Sequence, residues 1–344
     1  MEKVIKMGII SKDIGVDLGT SNIRIHVKGK GVVLEEPSVV AINKITSEIL
    51  AVGKQAKEML GRTPDSIVAV KPLKDGVIAD FAATRMLMQT LILRVVPKSL
   101  FSKPRLVVAI PSGITDVEER AAEGVAYKTG AKDVYLIEEI MAAAIGAGIK
   151  VEQPEGSMIV DIGGGTSEMA VLSLGGIVVS NSIKIAGEKL DIDIVEYIKD
   201  KYNVIIGLGE AEEVKKQIGA ATTTMTEDKI SIKGRNLSTG LPETITVTTG
   251  DVNNAISDSL KEILRMVKLT LEQTPPELAA DIMEKGIILS GGVANLRNID
   301  RYFSDNTGIP VLIAQNPAKC VANGVGMALN SIEVLKKAVK TRKK

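Results

Sequence analysis

VDIGGGTSE, residues 160–168, sets an acid between two β-branched residues just ahead of three glycines, with two hydroxyls and a second acid behind them. Glycine loses more backbone freedom on folding than any other residue, so three in a row need a reason. A turn without side chains lets backbone N–H groups converge on an anion. The preceding Asp161 would repel bare phosphate, which implies a cation between the two.

The stretch has an echo half a chain away. DIGVDLGTSNIRIHV (13–27) repeats the order of MIVDIGGGTSEMAVL (158–172): apolar strand, Asp, Gly-rich step, hydroxyls, alternating strand. Each copy reads as a β-hairpin with the glycines in its turn. The repeat predicts a duplicated α/β fold. One such turn alone fits a plain tight hairpin; the matched pair argues for a clamp on a nucleotide's phosphate tail. Thr20, Ser21 and Asn22 add hydroxyl and amide donors to the first copy. Asp17 and Asp161 end the leading strands, and Mg²⁺ suits them because it keeps several waters and takes few protein carboxylates. This is no Walker-type loop, which needs Gly-Lys-Ser/Thr before a helix. A third Gly step, LSGGVANL (289–296), follows a buried strand, and bare backbone there admits a flat ring such as adenine.

Composition narrows the chemistry. The chain has 344 residues, a net charge of +1, one Cys and one His, so no global field argues for nucleic acid, a disulfide framework and a Cys-based zinc site are excluded, and His-based metal or triad chemistry is disfavoured. Aromatic residues are 2%, so the core is built from aliphatic side chains. No secretory signal or run of 18 apolar residues is expected to direct the chain out of the cytoplasm or across a bilayer.

Further elements follow from pattern. RLVVAIPSGI (105–114) predicts a buried strand, and TDVEERAAEGVAYKTGA a helix capped by Thr115 or Asp116 and stopped at Gly130. DVYLIEE predicts a strand leading into the helix IMAAAIGAG. DIDIVEYIKDKYN and GEAEEVKKQIGAA predict amphipathic helices, with an antiparallel sheet after them. DVNNAISDSLKEILRMVKLTLEQTPPE predicts a long helix capped by Asp251. KGIILSGGVANLRNI predicts strand, turn and helix, and CVANGVGMALNSIEVLKKAVKTRKK a closing helix with a basic tail.

DLGTSN, DIGGGTSE and SGGVANL together are similar to the signature of the actin, sugar-kinase and heat-shock-chaperone ATPase superfamily. Within it, VAIPSGITDVEERA, YLIEEIMAAAIGAG, NLSTGLPETITV and NPAKCVANGVGMAL resemble the MreB family of bacterial actins over nearly the whole chain. The resemblance implies an α/β actin-like ATPase fold of two duplicated lobes, in four subdomains around an ATP cleft. Lobe I is expected over 1–150 and 320–344, with its small subdomain at about 34–79. Lobe II is expected over 151–319, with its small subdomain at about 188–252. The resemblance implies that Asp17, Gly19, Thr20, Ser21 and Asn22, and Asp161, Gly163, Gly164, Gly165 and Thr166, form the two phosphate turns. Gly291, Gly292 and Val293 take the adenosine turn, Gly187 lies near the ribose, and Glu213 and Lys216 touch the nucleoside. ATP or ADP with Mg²⁺ is the implied cofactor, with Asp17 and Asp161 facing the metal, in part through water. Of Glu138 and Glu139, the alignment gives Glu139 the water-orienting position, with Thr166 as its partner.

Three residues depart from the family pattern. Ile140 replaces a Pro and is expected to loosen Glu139. Val293 replaces a third Gly and trims the space around the base. Arg24 replaces an apolar residue and stands where eukaryotic actin has a basic side chain on phosphate.

ILRVVPKSLFSKPRL (92–106) interrupts a helix with Leu100 and Phe101 between Lys98 and Lys103. An apolar tip with basic neighbours suits the inner face of an anionic membrane, a use the family makes of this loop; the alternative is that both side chains tuck into the core. The tail, with Lys340, Arg342, Lys343 and Lys344, offers a second membrane signal or is a solvated end. The family resemblance implies self-assembly into antiparallel double filaments, alone or with related actin homologues, that control cell shape. A nucleotide-binding scaffold with weak hydrolysis is the runner-up, then a small-molecule kinase. No catalytic acid outside Glu138 and Glu139 stands out for the kinase.

Overall fold

The computed structural model describes residues 13–96, 103–222, 227–330 and 339–341. The expectations for Lys98, Leu100, Phe101, Arg342, Lys343 and Lys344 lie outside these residues, as does the side chain of Lys340. The chain divides into two compact units. One holds the described residues of Met1–Leu18, Asn22–Ala142 and Ala322–Lys344, the other those of Gly19–Ser21 and Ala143–Val321.

The first unit is built on a sheet that starts from the hairpin Ile14–Leu18 and Asn22–Val27. Gly31–Pro37 continues it antiparallel on one side; Arg105–Ile110 and then Asp133–Glu138 continue it parallel on the other. Ile14, Val16, Leu106, Val108, Val134 and Leu136 are buried in its core. Strands covered on both faces read as continuous apolar runs, and LVVAI at 106–110 is fully buried. Helices Phe81–Val95 and Asp116–Lys128 pack in the same unit. Thr115 caps the second with a capping box to Glu118, as the Thr-x-x-Glu spacing predicts.

The second unit repeats this order. The hairpin Ser157–Ile162 and Ser167–Ser173 is extended antiparallel by Gly176–Ile183, and parallel by Ile287–Ser290 and Val311–Ile313. Two antiparallel and two parallel pairings therefore recur around each hairpin, which is the duplication in structural form. Each unit also carries a small three-stranded sheet, Val40–Asn43 between Ile49–Val52 and Ile67–Val70 in the first, and Lys229–Asn236 between Val204–Ile205 and Pro242–Thr248 in the second.

Three local expectations are corrected. The long helix runs Thr249–Glu272, but Thr248 is its N-cap. Asp251 sits at the third helical position and accepts the Thr248 N–H at 2.9 Å, which makes the pair a capping box. The Gly step at 291 does not enter an α-helix directly. Gly292–Asn295 is a 3₁₀ turn, and the helix begins at Ile299. Near the C-terminus, Val339–Thr341 is a strand antiparallel to Asp133–Glu138, not part of a closing helix; the helix there is Cys320–Ala328.

Candidate functional site

The first hairpin places Asp17 at the end of a fully buried strand, itself 4% exposed. Its cross-strand partner is Arg24. The Arg24 guanidinium reaches Asp17 Oδ2 with Nη1 at 3.2 Å, and Glu35 Oε1 with Nη2 at 2.8 Å and Nε at 3.0 Å. Burial pushes the Asp17 carboxyl above the usual carboxylate range, against the pull of Arg24. The planar fork of Arg24 is engaged by two carboxylates.

The turn Gly19–Ser21 groups with the second unit, and there it meets the second hairpin's surroundings. Ser21 Oγ donates to Glu188 Oε1 at 3.2 Å. A side chain on Gly164 would overlap Ser21 Oγ, so this glycine is required by the close approach of the two turns. Thr20 and Thr166 are both buried.

The second hairpin ends its first strand on Asp161, with Glu168 opposite. Ser290 Oγ donates to Asp161 Oδ1 at 2.5 Å. Inside the turn, the Gly163 N–H donates to Thr166 O at 2.9 Å. The Gly163 and Gly164 carbonyls accept the N–H groups of Gly187 at 3.1 Å and Glu188 at 2.8 Å. These are among the first N–H groups of helix Gly187–Tyr202, which have no partner within their own helix. The glycine turn and helix Gly187–Tyr202 are thus built as one piece.

The third Gly step joins the same piece. Gly291 has φ +87°, and a Cβ there would strike the Ile162 backbone. Val293, nearly buried, lies with Cγ2 3.3 Å from where a Gly187 Cβ would stand. The Val293 side chain therefore packs on Gly187. Cys320 is buried in the same unit, and burial together with the Asp161 charge pushes its thiol up to about 12.

Helix Leu208–Ile218 presents two neighbouring lysines differently. Lys216 is half-exposed and pairs with Glu212 at 2.7 Å and Glu213 at 3.4 Å. Lys215 is the inward lysine, donating to Gly187 O at 2.6 Å and pairing with Asp191 at 2.7 Å. A helical-wheel count identifies it. Lys215 lies four residues after Ala211, on the face that buries Ala211, Val214 and Ile218, and residues so spaced share a face.

In the first unit, Glu138 ends a strand and Glu139 opens helix Glu139–Gly146. Ile140, which stands after the paired acids, is fully buried. Lys103 is exposed. Among the described residues no cluster of three or more His, Cys, Asp or Glu is placed to hold a metal, and no helix is long and apolar enough to cross a membrane.

Comparison with known proteins adds the family. A family model described as MreB/Mbl protein matches residues 11–337. The cell shape-determining protein Mbl of Bacillus subtilis (strain 168) is 49% identical over 329 residues, covering 96% of this chain and 99% of the relative. The cell shape-determining protein MreB of Escherichia coli (strain K12) is 47% identical over 332 residues, covering 95% and 96%. Among solved structures, MreB5 of Spiroplasma citri bound to AMPPNP is 41% identical with a TM-score of 0.90, over 95% of this chain and 98% of that chain. The MamK double helical filament has a TM-score of 0.80 over 93% of this chain and 99% of that chain, at 21% identity, which shows the shared fold alone.

Proposed function

This chain belongs to the MreB/Mbl family, and from that premise we propose that it is a bacterial actin that binds and hydrolyses ATP and polymerises into membrane-associated filaments controlling cell shape. The observation that carries the reading is the paired hairpins. Each ends a buried strand on an acid and turns through glycine and hydroxyl residues, and the Gly19–Ser21 turn lies against Gly164 and Glu188. The relatives named for cell shape and the MreB5 structure bound to AMPPNP support the same reading.

In this reading Gly19, Thr20, Ser21 and Asn22, with Gly163, Gly164, Gly165 and Thr166, take the phosphates. Gly187, Gly291, Gly292 and Val293 take the nucleoside, with Lys215 holding Gly187. The acids fit Mg²⁺. Two carboxylates at strand ends, and no three-residue acid cage among the described residues, suit a cation held mainly by phosphate and water. Asp17 and Asp161 would hold its water shell, and the bound ion would neutralise charge on the phosphates. Glu139 orients the attacking water with Thr166 as its partner. Positioning and electrostatic stabilisation supply nearly all of phosphoryl-transfer catalysis. Leu100 and Phe101, flanked by Lys98 and Lys103, and the basic tail from Lys340 attach the filament to anionic lipid on the inner face of the membrane. The filament is an antiparallel pair of homopolymers.

Sedimentation after ATP addition, with phosphate release read in the same tube, tests this. Pelleting with release, lost in Glu139→Ala while ATP binding stays, is the expected result. Pelleting without release gives the scaffold reading, and no pelleting with or without anionic liposomes rejects the proposal.

A further inference from the structure

The two hairpins differ in charge at one register position. Asp17 faces Arg24 and Asp161 faces Glu168, each acid seven residues before its cross-strand partner. Directly opposed residues project from the same face of a sheet, so this choice sets each acid's lateral neighbour. In the first hairpin the neighbour is a cation held from both sides, by Asp17 at 3.2 Å and by Glu35 at 2.8 Å. The side chains of Arg24 and Asp17 are 12% and 6% exposed, so water screens the pair little; Glu35 is 41% exposed and well screened.

A buried carboxylate beside a bound phosphate is repulsive unless a cation compensates it. We infer that Arg24 is the resident counter-cation of Asp17. It cancels that acid's charge inside the protein, so nucleotide binding at the first hairpin draws less on a divalent ion. The inference rests on the reading of the hairpins as phosphate turns. Arg24 is a positioning residue that acts through Asp17. Its rigid fork is taken up by two carboxylates.

The test is ADP affinity of the full chain, measured with Mg²⁺ and again with the metal chelated, for wild type, Arg24→Leu, Asp17→Asn and the double variant. Wild type that binds no ADP even with Mg²⁺ rejects the underlying reading of the hairpins. Given wild-type binding, Arg24→Leu should raise the ratio of metal-free to metal-bound Kd by about tenfold, or about 1.4 kcal/mol. The double variant should return the ratio to within about threefold of wild type, since neither charge is then left alone. Asp17→Asn, which leaves the Arg24 charge uncompensated on that side, should bind ADP without metal at least as tightly as wild type. An unchanged ratio in Arg24→Leu overturns the inference. An equal loss with and without metal also overturns it, because that marks Arg24 as a phosphate ligand. Circular dichroism melting reports folding. Should Arg24→Leu not fold, Asp17→Asn decides alone: weaker metal-free binding than wild type overturns the inference.

Discussion

The hairpins at 14–27 and 157–173 share strand order, pairing register and the sequence acid, glycine, hydroxyl, yet their surroundings are built differently. Behind the first, Arg24 and Glu35 make an ion-pair group on Asp17. Behind the second, Ser290 donates to Asp161, Gly291 backs directly onto Ile162, and the turn carbonyls hold helix Gly187–Tyr202. Duplication preserved the backbone frame, because register and turn are set by pleat and glycine. The side chains around each acid then diverged. One acid is paired with a cation, and the other hairpin is tied to Ser290, Gly291 and helix Gly187–Tyr202.

If the second hairpin is the integrated one, disturbing its back should cost most. Gly291→Ala adds a methyl against the Ile162 backbone at positive φ, and should destabilise the protein by about 3 kcal/mol or more, read by urea unfolding. Gly15→Ala in the first hairpin meets Val325 Cγ2 at 2.7 Å and backbone only from 3.1 Å, without a positive φ, and should cost less. Equal costs would break the contrast.

A third acid sharpens what a cation does for a carboxylate. Asp251 is also buried, and burial works against its ionisation. Hydrogen bonds from Lys201, Thr248 and Tyr202 outweigh this and hold its carboxyl at about 2. A depressed carboxyl stabilises the fold above its unfolded value near 3.8, and that stability is lost as pH falls toward about 2. Allowing for water around the half-exposed Lys201, the loss should be about 1–2 kcal/mol. Asp251→Asn should flatten that part of the pH–stability curve.

The smallest contrast lies between two neighbouring lysines. Lys215→Ala frees the Gly187 carbonyl and should weaken ADP binding by about tenfold, the scale of one charge-assisted hydrogen bond. Lys216→Ala removes only exposed pairs and should change it by less than about twofold.

Much of this was legible in the chain. Both hairpins, the strand at 105–110, the helix capped by Thr115 and the body of the long helix, though not its Thr248 cap, follow from period, glycine and cap residues that act locally. What escaped depends on residues far apart in sequence. Glu35 meets Arg24 from a third strand, and Ser290 meets Asp161 from across the chain. Val339–Thr341 becomes a strand because Asp133–Glu138 offers it an edge, which no short window contains. The inward contacts of Lys215 also escaped, because they join it to Gly187 and Asp191 on another helix.

On the proposed reading, both hairpins serve one nucleotide. Calorimetric titration of ADP with Mg²⁺ into wild type, Thr20→Ala and Thr166→Ala tests it. One ADP per chain, weakened by either substitution, is the predicted result. Two independent ADP sites, or one site that ignores either substitution, would contradict it.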